Sequence, residues 1–222
     1  MQKQPDKKTV QGEIEKALRK LNITSHLRHA GRTDRGVHAL NQVVAFDAPS
    51  FWDIHKLRVS LNNILSPYIY VKKIVKTDDT FNPRLDARKR SYRYLLSGRF
   101  SPHSADYVTY YDKNIDYPRL QQALNLLIGP HDFKYFAKTG SEVNHYLREI
   151  YRAEIYTYKY LSVIKIEGNG FLRGQIRIIV DFMLKINENI LSIEDLKAQL
   201  NGTLISKHLA PPNGLYLERV WY

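Results

Sequence analysis

The sequence predicts an α+β protein, with helices packed on a mostly antiparallel sheet. Three observations predict it. Stretches with apolar residues three and four apart are interleaved with stretches that alternate in polarity at every second residue. This interleaving occurs in both halves of the chain, without a fixed repeat period. Residues 149–158 and 161–167 are β-rich runs separated only by Lys159-Tyr160, which reads as an antiparallel hairpin.

The elements follow in order. Residues 1–8 are polar and are expected to be mobile. Thr9 reads as the N-cap of a helix over 10–21, where Ile14, Ala17, Leu18 and Leu21 recur at helical spacing. Short strands are expected at 23–28 and 42–47. Ile54, Leu57, Leu61 and Ile64 predict a helix over 52–64, stopped by Ser66-Pro67. Residues 68–74 read as a strand, with turns at Asp78-Asp79 and Asn82-Pro83. Residues 91–96 alternate as a strand, with Tyr92, Tyr94 and Leu96 on one face and Arg93 and Leu95 on the other.

Pro118 suits the first turn of a helix carrying Leu120, Ala123, Leu124 and Leu127, which Gly129-Pro130 ends. The polar stretch 138–144 reads as a solvated connector, with RNA contact as its sharper alternative. Leu172, Ile176, Ile179, Val180 and Met183 form the apolar stripe of a helix over 171–187, with Arg173 and Arg177 on its flank. Ser192 with Asp195 resembles a capping box for a short helix ending near Gly202. Residues 210–217 form a turn feeding a last strand that ends near Val220. A boundary near 82–90 divides the chain into α+β domains over 1–86 and 87–222.

Composition narrows the function. At 43% apolar, the chain of 222 residues is globular, and no run of about 18 apolar residues suggests a transmembrane helix. The first residues lack the apolar core of a signal peptide. The absence of cysteine removes disulfides, thiolate catalysis and cysteine-ligated zinc, and fits a cytoplasmic protein. A net charge of +12 beside 16 tyrosines points to a polyanion whose bases stack on aromatic rings. Arg84, Arg88, Lys89, Arg90, Arg93 and Arg99 make the densest basic run. It reads either as a solvated surface around core tyrosines or as a phosphate-binding surface with a ring aimed at a pocket.

The stretch Gly31-Arg32-Thr33-Asp34-Arg35-Gly36-Val37-His38-Ala39 concentrates polar chemistry between glycines beside a strand-like run. There is no P-loop and no Gly-x-Ser-x-Gly elbow, and no histidine pair has the His-Glu-x-x-His spacing. Asp34, Asp47 and Asp86 could gather Mg²⁺ for a nuclease, although their spacing does not require it. A carboxylate acting as nucleophile or base remains. Arg32 and Arg35 would hold Asp34 ionised, and an ionised carboxylate in a dry pocket can attack an electrophilic carbon of a uridine flipped from its stack. The residues alone leave this open beside a plain turn or capping role for Asp34.

The same stretch resembles the signature of the TruA-type tRNA pseudouridine synthases. Further matches follow in the family's order: Thr9-Val10-Gln11, Phe81-Asn82-Pro83-Arg84, Arg90-Ser91-Tyr92-Arg93-Tyr94, Gly129-Pro130-His131-Asp132-Phe133, Phe171-Leu172 with Ile176-Arg177, and Ala210-Pro211-Pro212-Asn213-Gly214-Leu215. The resemblance implies the pseudouridine synthase fold, two RRM- or ferredoxin-like α+β halves with a mostly antiparallel sheet flanked by helices. It also implies isomerisation of uridine to pseudouridine in the anticodon stem-loop of tRNA, without metal or organic cofactor, by a homodimer with tRNA lying across both subunits.

By that resemblance Asp34 is the nucleophile, on a loop of the 1–86 domain, and the 87–222 domain completes the site. Tyr92 stacks on the target base and is a candidate for removing the C5 proton. Arg177 pairs with Asp34, and Arg32 helps evict the base. The sequence departs from the family pattern in three places. The first strand, with its Tyr-Asp-Gly segment and the Gly-Trp-Gln element after it, is missing before Met1-Gln2-Lys3-Gln4. Gly174-Gln175-Ile176 precedes Arg177 where a His or Met-Val is more usual, and Asp181 replaces a common glycine. The competing functions are a non-catalytic RNA-binding module on the same fold, the metal-dependent nuclease, and a basic structural protein.

Overall fold

A computed structural model describes residues 8–140 and 145–222. The expectations for residues 1–7, and for 141–144 within the polar stretch, lie outside the described residues. The chain forms two compact units, Met1–Thr33 with Gln42–Asp86, and Asp34–Asn41 with Ala87–Tyr222.

In the first unit, α1 (Val10–Lys20) and α2 (Ile54–Leu65) bury their apolar stripes against one another. Thr9 caps α1 by accepting from the Gly12 N–H, as its position predicts, and Asp53 caps α2 through the Lys56 N–H. The strands expected at 23–28 and 42–47 shorten to β1 (Arg28–His29) and β3 (Val44–Ala45), an antiparallel pair. Residues 68–74 do not form the expected strand. Ile69, Val71 and Ile74 still pack on the core, but the Asn62 side chain satisfies the Val71 backbone. Its amide donates to the Val71 carbonyl at 3.1 Å, and its carbonyl accepts from the Val71 N–H at 2.6 Å. One side chain thus takes the place of a neighbouring strand, and no ladder is needed.

The second unit is built on one sheet. Its strands are β2 (His38–Ala39), β4 (Lys89–Ser97), β5 (Thr109–Tyr110), β6 (Gly129–Asp132), β7 (Leu147–Tyr158), β8 (Leu161–Gly168) and β9 (Leu215–Trp221). Their order is β2-β9-β4-β8-β7-β6, with β5 added on β4. Only β2 on β9 and β5 on β4 are parallel, so the sheet is mostly antiparallel. The β7–β8 hairpin forms where its alternation predicts. Two features escape the sequence pattern. Strand β2 lies inside the polar Asp34 loop. Strand β6 replaces a plain turn after Gly129, and its Pro130 is tolerated because β6 is the sheet edge.

Helices α3 (Tyr117–Asn125) and α4 (Gln175–Asn187) cover one face of the sheet, where Tyr94, Phe133, Phe136, Phe182 and Met183 are fully buried. Helix α4 begins four residues later than its stripe suggests. Gly174, at φ 75, turns the chain in a left-handed conformation, and the Gln175 side-chain oxygen takes the Leu172 N–H at 2.7 Å. Helix α5 (Ile193–Asn201) carries the expected capping box between Ser192 and Asp195.

Residues of the basic run are drawn into pairs across β4, β8 and β9. Arg93 pairs with Glu218, and Lys89 lies 3.0 Å from Glu167. Lys165 reaches both acids, at 3.6 and 3.0 Å. Burial alone would push the Glu167 carboxyl up, but hydrogen bonds from Lys89 and Lys165 hold it below the ordinary carboxylate range. Arg93 and Lys89 therefore engage sheet carboxylates.

Candidate active site

The Asp34 loop is fixed to the sheet by backbone geometry. The 34–41 segment is continuous in sequence with the first unit but belongs to the second, because β2 pairs in parallel with β9 and the Leu40 N–H bonds the Leu217 carbonyl at 2.8 Å. The register between β4 and β9 slips at Ser91/Tyr92, leaving Glu218 without a ladder partner. Asn41 takes up that orphan carbonyl at 2.7 Å. His38 stacks on Tyr216, with ring centroids 4.8 Å apart, and its Nε2 lies 2.8 Å from the Asp106 carbonyl.

Gly36 closes the turn. It holds φ +80, and a Cβ there would sit 2.9 Å from the Pro212 ring. Gly36→Ala should therefore cost about 1–3 kcal/mol through backbone strain and the Pro212 clash. A urea unfolding curve should show a lower midpoint with an unchanged slope.

Arg177 enters from the first turn of α4. Its Nη1 donates to Asp34 Oδ2 at 3.2 Å, and its Nε donates to the Ala210 carbonyl at 2.6 Å. The Ala210 N–H returns to the Arg177 carbonyl at 3.1 Å, so one turn residue grips Arg177 at both its backbone and its guanidinium. A cation in the first turn opposes the helix macrodipole. The Asp34 carboxylate offsets that cost, and the planar fork lets one side chain hold the two oxygens together. The Arg177 side chain is 14% exposed and that of Asp34 34%, so the carboxylate keeps a face open to a ligand.

Tyr92, half-buried on β4, lies edge-on to Phe171, with ring centroids 5.3 Å apart. Burial pushes its phenol up to about 12. The charge of Arg90 acts in the opposite sense, and the Asp34 carboxylate adds to the rise. At neutral pH Tyr92 is therefore a neutral phenol. It can present a ring face or donate a hydrogen bond, but it is not a standing base.

Arg32 is exposed at the end of the first unit. Beyond the effect of burial, its charge lowers the pKa of His29. The aspartates weighed for a nuclease have other partners. Asp47 accepts from the Ser25 hydroxyl and pairs with Arg28, each at 3.4 Å, while Asp86 caps the Asn82 N–H at 2.8 Å. Among the described residues, no group of three or more His, Asp or Glu side chains is placed to hold a metal ion. Sequence reasoning missed Ala210 as a partner of Arg177, since a backbone carbonyl leaves no residue-type signal. The turn motif from Ala210 to Leu215 was the one clue available.

A family model for tRNA pseudouridine synthase matches residues 123–222. A Campylobacter jejuni subsp. doylei protein named tRNA pseudouridine synthase A is 42% identical over 222 residues, covering 99% of this chain and 92% of its own. Proteins of the same name from Helicobacter hepaticus and Wolinella succinogenes are 41% and 40% identical, covering 100% and 93% of this chain and 92% and 83% of their own. With this identity along nearly its whole length, the chain belongs to the tRNA pseudouridine synthase A family.

Proposed function

We propose that this protein isomerises uridine to pseudouridine in tRNA, at positions in the anticodon stem-loop. The observation that carries the reading is the Asp34–Arg177 pair, with Tyr92 feeling the Asp34 charge, in a chain that matches proteins named for this activity almost from end to end. The reaction breaks the N1–C1′ bond and forms a C5–C1′ bond. N1 gains a proton and C5 loses one, so no oxidant, reductant or metal is needed for the balance.

Asp34 is the nucleophile in this reading. Its attack on the pyrimidine ring or on C1′ gives a covalent intermediate that splits one difficult step into two. Arg177 holds the carboxylate in place through its 3.2 Å contact to Asp34 Oδ2. Tyr92 offers its ring to the flipped base, and its neutral phenol makes it a stacking platform in the ground state. Arg32 fills the place the base leaves, an assignment that rests on the motif match alone. The net charge of +12 supports binding of the RNA backbone. The protein acts as a cytoplasmic homodimer with tRNA across both subunits. Among the described residues, no helix is long and apolar enough to cross a membrane.

The test uses tRNA carrying tritium at uridine C5. Wild-type protein should release tritium to water, equally well with and without a chelator. Salt-sensitive tRNA binding without release would overturn the reading and leave an RNA-binding module. RNA cleavage that a chelator abolishes would point to the nuclease.

A further inference from the structure

The grip of Ala210 on Arg177 depends on how the turn from Ala210 to Gly214 is held, and a buried hydroxyl pair holds it. Tyr94, fully buried on β4, donates its phenol proton to the Pro211 carbonyl at 2.8 Å. The Thr109 hydroxyl on β5 lies 2.8 Å from the same phenol and donates to Asn213 Oδ1 at 3.0 Å. The Asn213 amide is oriented in turn, because its NH₂ donates to the Ala105 and Val108 carbonyls at 2.7 and 3.0 Å. Its oxygen must therefore face Thr109. Two hydroxyl protons face three short contacts, so at any moment one of the three lacks a proton of its own.

We propose that Thr109 is a positioning residue for the Asp34–Arg177 pair, holding the turn from Ala210 to Asn213 in register through Tyr94 and Asn213, so that the Ala210 carbonyl fixes the Arg177 guanidinium against Asp34. Thr109 is 5% exposed and meets neither Asp34 nor Arg177 in any hydrogen bond. Its influence runs through three residues of the turn. Thr109 holds Asn213 directly and Pro211 through Tyr94, and Ala210 directly precedes Pro211 in the chain. Thr109→Val keeps the shape and removes the hydroxyl, leaving Oδ1 of the half-buried Asn213 without its Thr109 donor. The turn then recovers that bond only by moving, and a sub-ångström shift at Ala210 redirects the Nε–H that aims the fork. Misplacements on this scale cost large factors in rate when the geometry is one of attack.

The proposal rests on the reading of Asp34 and Arg177 given above, so the test has a catalytic and a non-catalytic arm. In the catalytic arm, kcat and KM for tritium release are measured on wild type, Thr109→Val, Thr109→Ser and Tyr94→Phe, each normalised to the folded fraction from its thermal melt. Thr109→Val should lower kcat by about tenfold or more with KM within about threefold, and Thr109→Ser should restore kcat to within about threefold. Tyr94→Phe, which keeps the ring and loses both the bond to Pro211 and the contact to Thr109, should resemble Thr109→Val. In the second arm, the Arg177 Nε–H resonance is followed by NMR without substrate, and Thr109→Val should speed its exchange with water several-fold.

A Thr109→Val protein with kcat and Nε–H exchange both within twofold of wild type overturns the proposal. Equal losses for Val and Ser that track the melting temperature overturn it as well, by reducing Thr109 to a stability residue. A wild type that releases no tritium overturns the functional reading instead, and the exchange arm still decides whether Thr109 positions Arg177.

Discussion

On the proposed reading, Asp34→Ala should lower tritium release from C5-labelled tRNA by about 10⁴-fold or more, since it removes the proposed nucleophile and, among the described residues, no second carboxylate pairs with Arg177. Stability should move little. Asp34 is 34% exposed, and an ion pair open to solvent on that scale is worth about 1 kcal/mol or less. Binding of tRNA should be retained, because the phosphates are held by the basic surface and the carboxylate only repels them. Single-turnover assays with a parallel filter-binding titration separate the two quantities. Release by Asp34→Ala at a rate within tenfold of wild type would remove Asp34 from the chemistry and return the 31–39 loop to a structural turn.

The second large effect is expected at Arg177, with Lys as the informative replacement. Lysine keeps the charge and loses the fork. A single ammonium on a flexible stem does not reproduce the rigid 3.2 Å contact to Asp34 together with the 2.6 Å contact to the Ala210 carbonyl. The kcat should fall by about 10²–10³-fold, the scale seen when one oriented donor is removed from a preorganised site. KM for tRNA should change far less. Activity close to wild type in Arg177→Lys would mean that the charge suffices and the fork to Ala210 is incidental. Arg177→Met removes the charge as well and should be worse than Lys. Equal losses in the two variants would assign the effect to the lost Ala210 contact instead of to the charge.

Part of this architecture follows from local chemistry and was legible in the chain. Thr9, Ser192 and Asp195 cap their helices because a side-chain oxygen beside free N–H groups needs no tertiary help. The β7–β8 hairpin follows from alternation across a tight turn. The helical stripe carrying Arg177 was visible, though its start moved to Gln175 because Gly174 takes a left-handed conformation. Asp34 stood out as one carboxylate among basic residues between glycines, but composition left it poised between a turn residue and a reactive group.

Contacts between segments far apart in the sequence decided the rest. Strand β2 exists only because β9 lies beside it, and nothing in His38-Ala39 announces an extended pairing. Residues 68–74 alternate like a strand, yet an asparagine on α2 captures their backbone. Arg93 and Lys89 read as part of a phosphate-binding run until Glu218 and Glu167 arrive from strands more than seventy residues later. By itself, the sequence determined the capped helices, the hairpin and the chemical character of the Asp34 loop, because these depend on neighbours within a few positions. The family resemblance named Arg177 as the cation for Asp34, but only the tertiary structure brought the two together and decided which carbonyl steadies that cation. Those contacts join residues 34, 177 and 210, and a distance of 3.2 Å between groups 143 positions apart follows from no local propensity.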